Sequence, residues 1–146
     1  MLPSMTDVTD SSTRHWSTTE GSLFEVGTAR SVHAFHVMPG MPGPEGTLHA
    51  HDYRIDIVVR RAELAGGMVC DLDVLEAALD DVVTAVADEN LEKIRPDDED
   101  AVTVEVFARW VHGQLAEPVR SAGGEHLTVR VWESEVAYGG YAAPLM

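Results

Sequence analysis

His36-Val-Met-Pro-Gly-Met-Pro-Gly-Pro-Glu45-Gly-Thr-Leu48-His49-Ala50-His51-Asp-Tyr53 is the stretch on which the reading of this chain turns. His49 and His51 are two apart, and on an extended strand such side chains point to the same face. A third imidazole from a neighbouring strand, His36, completes three nitrogen ligands and leaves one position of a tetrahedral zinc open for water or substrate. Structural zinc sites are usually closed by four ligands, often thiolates, and this chain has a single cysteine, Cys70. The pattern therefore points to a catalytic metal site.

The flanks place these histidines on strands. From Phe24 to His36 a rough period of two puts Phe24, Val26, Val32, Ala34 and His36 on one face, interrupted by Thr28 and Arg30. The turn-rich run Pro39 to Pro44 is a loop. Leu48 to Arg61 alternates most clearly: His49, His51, Tyr53, Ile55, Ile57 and Val59 share one face, and Asp52, Arg54, Asp56 and Arg60 the other. The two histidines thus fall on the apolar, core-facing side, and Gly66-Gly67 ends the hairpin.

Beyond it, Asp73 and Glu76 form a capping signature, and Val74, Leu75, Ala78, Leu79, Val82, Val83 and Val86 recur at helical spacing. An acidic loop, Arg95 to Asp100, precedes a second helix that starts near Thr103 and buries Phe107, Trp110, Val111 and Leu115. Pro118 and Gly123-Gly124 are expected to break it. Leu127, Val129, Val131 and Glu133 alternate on a third strand, and a last strand is expected from Val136 to about Ala142. The order is ββααββ, an α+β subunit.

With 146 residues, the chain is expected to form one domain over 21–146 behind a flexible Ser/Thr-rich tail, residues 1–20. That tail has no apolar core of the kind a signal peptide needs. No run approaches a membrane span, and a lone cysteine offers no disulfide framework, which fits a cytoplasmic protein. A net charge of -15 argues against nucleic acid and anionic membranes as partners.

Five landmarks in order resemble the 6-pyruvoyltetrahydropterin synthase and 6-carboxytetrahydropterin synthase family, over about Phe24 to Pro144. The family's Phe-x-Ala-x-His reads Val32-His-Ala34-Phe-His36, and its Cys-x-x-Leu-His-Gly-His-x-Tyr reads Glu45-Gly-Thr-Leu48-His49-Ala50-His51-Asp-Tyr53. Its Gly-Met-Val-x-Asp appears as Gly67-Met68-Val69-Cys70-Asp71, its Pro-Thr-x-Glu as Val102-Thr103-Val104-Glu105, and its Glu-Thr as Glu133-Ser134. The resemblance implies the tunnelling fold, in which the four strands of each subunit join those of its neighbours into a barrel, giving a trimer or a hexamer of two stacked rings. It also implies Zn2+ on His36, His49 and His51, and a pterin held by Glu133 and Thr103.

Two departures bear on chemistry. Glu45 aligns with the family's proton-transferring cysteine; a subgroup with glutamate there is similar to dihydroneopterin aldolase and cleaves the pterin side chain. After the first helix the family carries Leu-Asp-His-x-x-Leu, where this chain has Val86-Ala87-Asp88-Glu89-Asn90-Leu91. Asp88 takes the histidine's place, or with a one-residue shift the aspartate's, and no register supplies a histidine.

The expected catalytic residues are Glu45, as a general base with a raised pKa in a partly dry site, and Asp88. Glu133, on an inward apolar strand face, needs a partner for its charge and matches the adjacent N–H donors of a pterin. Cys70 is expected to be packed and inert, and His15, His33, His112 and His126 to be structural or on the surface. The leading function is a zinc-dependent lyase on a pterin-type substrate, with side-chain cleavage of dihydroneopterin as first choice. A member recruited to a different substrate and a non-catalytic ligand-binding protein remain open.

Overall fold

The chain is seen in a computed structural model that describes residues 19–146; the greater part of the expected tail and His15 lie outside the described residues. Four strands form one antiparallel sheet in the order β1-β2-β3-β4: β1 Phe24–His36, β2 His49–Arg61, β3 His126–Trp132 and β4 Tyr138–Pro144. Two helices, α1 Leu72–Val86 and α2 Val104–Ser121, connect the β1–β2 hairpin to the β3–β4 hairpin. The ββααββ order, the antiparallel sheet and the two helices agree with the expected fold.

Alternation explains which face the helices cover. Tyr53, Ile55, Ile57 and Val59 of β2 and Leu127, Val129 and Val131 of β3 are buried, with their sequence neighbours more exposed. Onto this face α1 sets Leu75, Leu79, Val82 and Val86, and α2 sets Phe107, Val111, Leu115 and Val119. Each such side chain removed from water contributes about 1.5–3 kcal/mol before entropy is counted. The core sits between one sheet face and the helix layer. Among the described residues no helix is long and apolar enough to cross a membrane.

Several local expectations change. Helix α1 is capped by Asp71, whose carboxylate accepts from the Asp73 N–H at 2.8 Å, so Asp73 and Glu76 are not its capping pair. Glu76 instead faces Arg30 at 3.4 Å. Val74 is 41% exposed, because the apolar stripe is narrower than the sequence pattern. Pro118 lies inside α2, which runs on to Ser121; proline removes one backbone donor but need not end a helix whose apolar face is already docked. Strand β4 begins at Tyr138, two residues later than expected, since Ser134 takes up the backbone N–H groups of Val136 and Ala137 in a turn.

The important shift is at the end of β3. The strand stops at Trp132, and Glu133 is exposed, its N–H donating to the Ala137 carbonyl at 3.1 Å. Its carboxylate is therefore not the buried charge that inward alternation implied.

Candidate metal centre

The hairpin register brings the histidines together. His36 pairs directly with His49, and Ala34 with His51, so three inward positions on two adjacent strands carry imidazoles at one end of the sheet. Their ligating atoms all lie within 4.8 Å of one another. The ring centroids are 5.2 Å apart for His36 and His49 and 4.8 Å for His49 and His51.

The ring of His49 is held by the backbone. His49 Nδ1–H donates to the Thr47 carbonyl at 2.7 Å, which leaves its Nε2 lone pair directed at His36 Nδ1, 3.4 Å away. Nitrogens bound to one tetrahedral zinc at about 2.0–2.1 Å stand roughly 3.4 Å apart. The pair already has that spacing. His36 is 7% exposed; its Nε2 lies buried near the Val102 backbone without a hydrogen bond of sound geometry. Burial, and then the neighbouring His49 and His51, push the His36 pKa down, which favours the neutral form a metal binds. Among the described residues this is the group of three that can hold a metal ion, and its all-imidazole donor set suits zinc.

A cleft of about 260 Å³ opens beside His36, lined by Met38, Glu45, Tyr53, Thr103, Glu105 and Glu133 among others. Glu45 sits in a one-turn helix, Gly43–Gly46, within the hairpin loop, and its Oε2 lies 3.8 Å from His49 Nε2. Its side chain is 59% exposed, wetter than the partly dry site expected of it. Thr103 caps α2, accepting from the Val106 N–H at 3.2 Å, and also lines the cleft. Glu133 reaches the same cleft from the end of β3. Asp88 does not line it. Its carboxylate lies 2.9 Å from His33 Nδ1, and His33 is on the other face of β1 from His36.

Two polar cleft residues were not among the expected site residues. Tyr53 is 2% exposed, and burial, with smaller contributions from the nearby Glu133 and Glu45 carboxylates, pushes its phenol well above the usual range, so it stays a donor. Its inward register, two residues after His51, was the available signal. Glu105 lies in the first turn of α2, where Gly139 lets the helix approach β4: a Cβ on Gly139 would collide with the Glu105 carboxylate and the Val104 side chain. Nothing in the sequence marks that approach. Cys70 is free and buried, and burial raises its thiol pKa, which makes it a poor nucleophile.

Comparisons agree with this fold. The fold is similar to that of 6-pyruvoyl tetrahydropterin synthase from Plasmodium falciparum, at 16% identity and a TM-score of 0.66, covering 84% of this chain and 99% of that one. It is equally similar to the Caenorhabditis elegans 6-pyruvoyl tetrahydropterin synthase, at 19% identity and a TM-score of 0.63, covering 84% and 96%. A third similar structure is a Plasmodium vivax 6-pyruvoyltetrahydropterin synthase in which a glutamate described as a catalytic residue is replaced by alanine; identity is 15%, the TM-score 0.67 and coverage 84% and 99%. No match is found among curated proteins. The family model described as 6-pyruvoyl tetrahydropterin synthase matches residues 25–144, from the second residue of β1 to the last of β4, and this chain belongs to that family.

Proposed function

We propose that this chain is a zinc-dependent lyase acting on a pterin-type substrate, and that its reaction is side-chain cleavage of dihydroneopterin. The observation that carries this reading is the sharing of one cleft by His36, Glu45 and Glu133, with His49 and His51 converging on His36. In the Plasmodium vivax relative a glutamate is described as catalytic, which supports carboxylate chemistry within this fold. Bound to His36, His49 and His51, zinc would supply Lewis-acid polarisation of the side-chain oxygens.

The chain's own groups divide the remaining work. Glu45 accepts the proton of the hydroxyl on the second side-chain carbon, which becomes a carbonyl as the bond to the first carbon breaks. The released electron pair moves into the pterin ring system, and the first carbon then takes up a proton. Glu133 receives the adjacent ring N–H and amino N–H donors of the pterin in bidentate fashion, and Thr103 borders that ring. Tyr53, kept protonated, offers a donor in the cleft that both carboxylates line.

Strands β1 and β4 are the two edges of the sheet, and unpaired edges invite pairing. Closure into a barrel with neighbouring copies, most simply a trimer stacked into a hexamer, covers them and deepens a cleft that is open in one chain. Light scattering well above 15.9 kDa supports that assembly, and a monomer at micromolar concentration refutes it. For the reaction, dihydroneopterin and its triphosphate are incubated with purified protein and products followed by mass. Release of a two-carbon aldehyde with a hydroxymethyl pterin is the expected result; an unchanged substrate with bound pterin would favour a binding protein.

A further inference from the structure

Three carboxylates line the cleft beside His36, those of Glu45, Glu105 and Glu133, and among the described residues no lysine or arginine lines it with them. The cations of this chain are committed elsewhere. Among the described residues every lysine and arginine but two stands in an ion pair with an acid outside the cleft. Of those two, Arg61 donates to the Val69 carbonyl and Arg130 lies over the Tyr138 ring. Arg109 comes four residues after Glu105, on the same side of α2, and could have neutralised it. It faces Asp98 instead, at 3.4 Å.

The first turn of α2 is where such a cleft would otherwise seat an anion. Backbone N–H groups and the helix dipole favour a phosphate at a helix N-terminus. Here Thr103 takes up the Val106 N–H at 3.2 Å, and Glu105 brings its own carboxylate to the same turn. Gly139 of β4 leaves the room in which that carboxylate lies. A phosphate arriving at this end of α2 meets a charge of its own sign.

The proposed cleavage would carry a phosphate into that field. Glu45 works on the hydroxyl of the second side-chain carbon, and the triphosphate ester of dihydroneopterin is on the third. Several negative charges would then lie one carbon beyond a carboxylate base, in a cleft with two further carboxylates. Like charges set against one another weaken binding and slow encounter. The free side chain meets no such penalty, since its neutral hydroxyls are donors that carboxylates accept.

We propose that this cleft selects the phosphate-free pterin, with Glu105 as a specificity-determining residue, so that hydrolysis of the phosphate ester must precede the cleavage. This rests on the dihydroneopterin reading above. Water is the co-reactant of that earlier hydrolysis, and the phosphates leave as free anions. The cleavage then releases an uncharged two-carbon aldehyde.

The test compares kcat/KM for dihydroneopterin and its triphosphate on zinc-loaded protein, at low salt and at about 1 M salt, where the Debye length is about 3 Å. Dihydroneopterin should be favoured about 10²-fold or more at low salt, and the gap should narrow as salt rises. Equal values, or a preference for the triphosphate, overturn the selectivity. A gap that ignores salt overturns its electrostatic cause. Glu105→Gln should bring the two values at least about 5-fold closer, whereas Glu117→Gln, the same change of charge about 18 Å further along α2, should leave their ratio alone. An unmoved ratio in Glu105→Gln overturns the role of that residue, and an equal shift in both variants overturns a local effect. If neither compound is cleaved, the lyase reading fails, and calorimetry with neopterin and neopterin triphosphate decides the selectivity without turnover. Weaker binding of the triphosphate upholds it; equal binding, or binding of neither, overturns it.

Discussion

Two halves of one face of β2 do opposite things. From Ile55 to Val59 every inward side chain is aliphatic and at most 1% exposed, sealed by α1 and α2. At the other end of the same face, His49 and His51 are half-buried imidazoles beside a cleft that opens past the first turn of α2. The strand geometry is continuous; only the cover differs. Burial at the first end stabilises the fold through area removed from water, and incomplete cover at the second leaves nitrogen lone pairs free to bind. Stability and chemistry are therefore expected to respond to different substitutions on one strand.

The sharpest way to break that division is the double variant His49→Ala/His51→Ala. Metal analysis should fall from one zinc per chain to none, with turnover lost, while unfolding in chelator stays close to the parent's. Equal metal content in both proteins would sink the metal centre. Next, Glu45→Gln should reduce turnover about 10²–10⁴-fold with metal retained, whereas Cys70→Ala should keep it; the reverse pattern would move the chemistry to the thiol. On the core side, Ile57→Ala should cost about 2–5 kcal/mol in denaturant unfolding with zinc binding preserved, and a loss under 1 kcal/mol would mean the buried half is loosely packed.

Glu133→Gln should weaken pterin binding by about 1.5–3 kcal/mol in calorimetry without loss of metal. No pterin binding by the parent would point to an unrelated substrate. The smallest effect concerns His112, buried in α2, whose pKa is pushed below its ordinary value chiefly by burial. The unfolded chain then binds the extra proton first, so stability is complete above about pH 6.5 and falls as pH drops below it, by about 1.4 kcal/mol per unit of depression. Parent and His112→Gln unfolding compared at pH 7.5 and 5.5 should show the shallower loss in the variant.

Legibility in the sequence followed the strength of local pattern. Strand β1 was placed to the residue and β2 to within one, because His49 to Val59 alternates without a break against the charged opposite face. At β4 the reading slipped by two residues, since Tyr138-Gly-Gly-Tyr-Ala-Ala carries little alternation and Ser134 builds a turn just before it. The three histidines were legible for the same reason as the strands: parity set their face and the hairpin set their partner. Glu105 was not, because its place in the cleft depends on a helix crossing a glycine in β4.

Asp88 marks the boundary between the two kinds of information. By itself the sequence determined the alternation that makes the sheet, the helical stripes that cover it, and three imidazoles on one inward face, since all of these are periodicities of neighbouring residues. Only the tertiary structure decided that α2 leaves one end of that face open, that Glu133 stands past the end of β3 in solvent reach, and that Asp88 turns to His33 instead of the cleft. Those outcomes depend on contacts between residues far apart in the chain, such as the 55 positions separating His33 from Asp88. No local pattern encodes them, because the backbone turn that aims Asp88 is held by hydrogen bonds to a strand formed long before it in sequence.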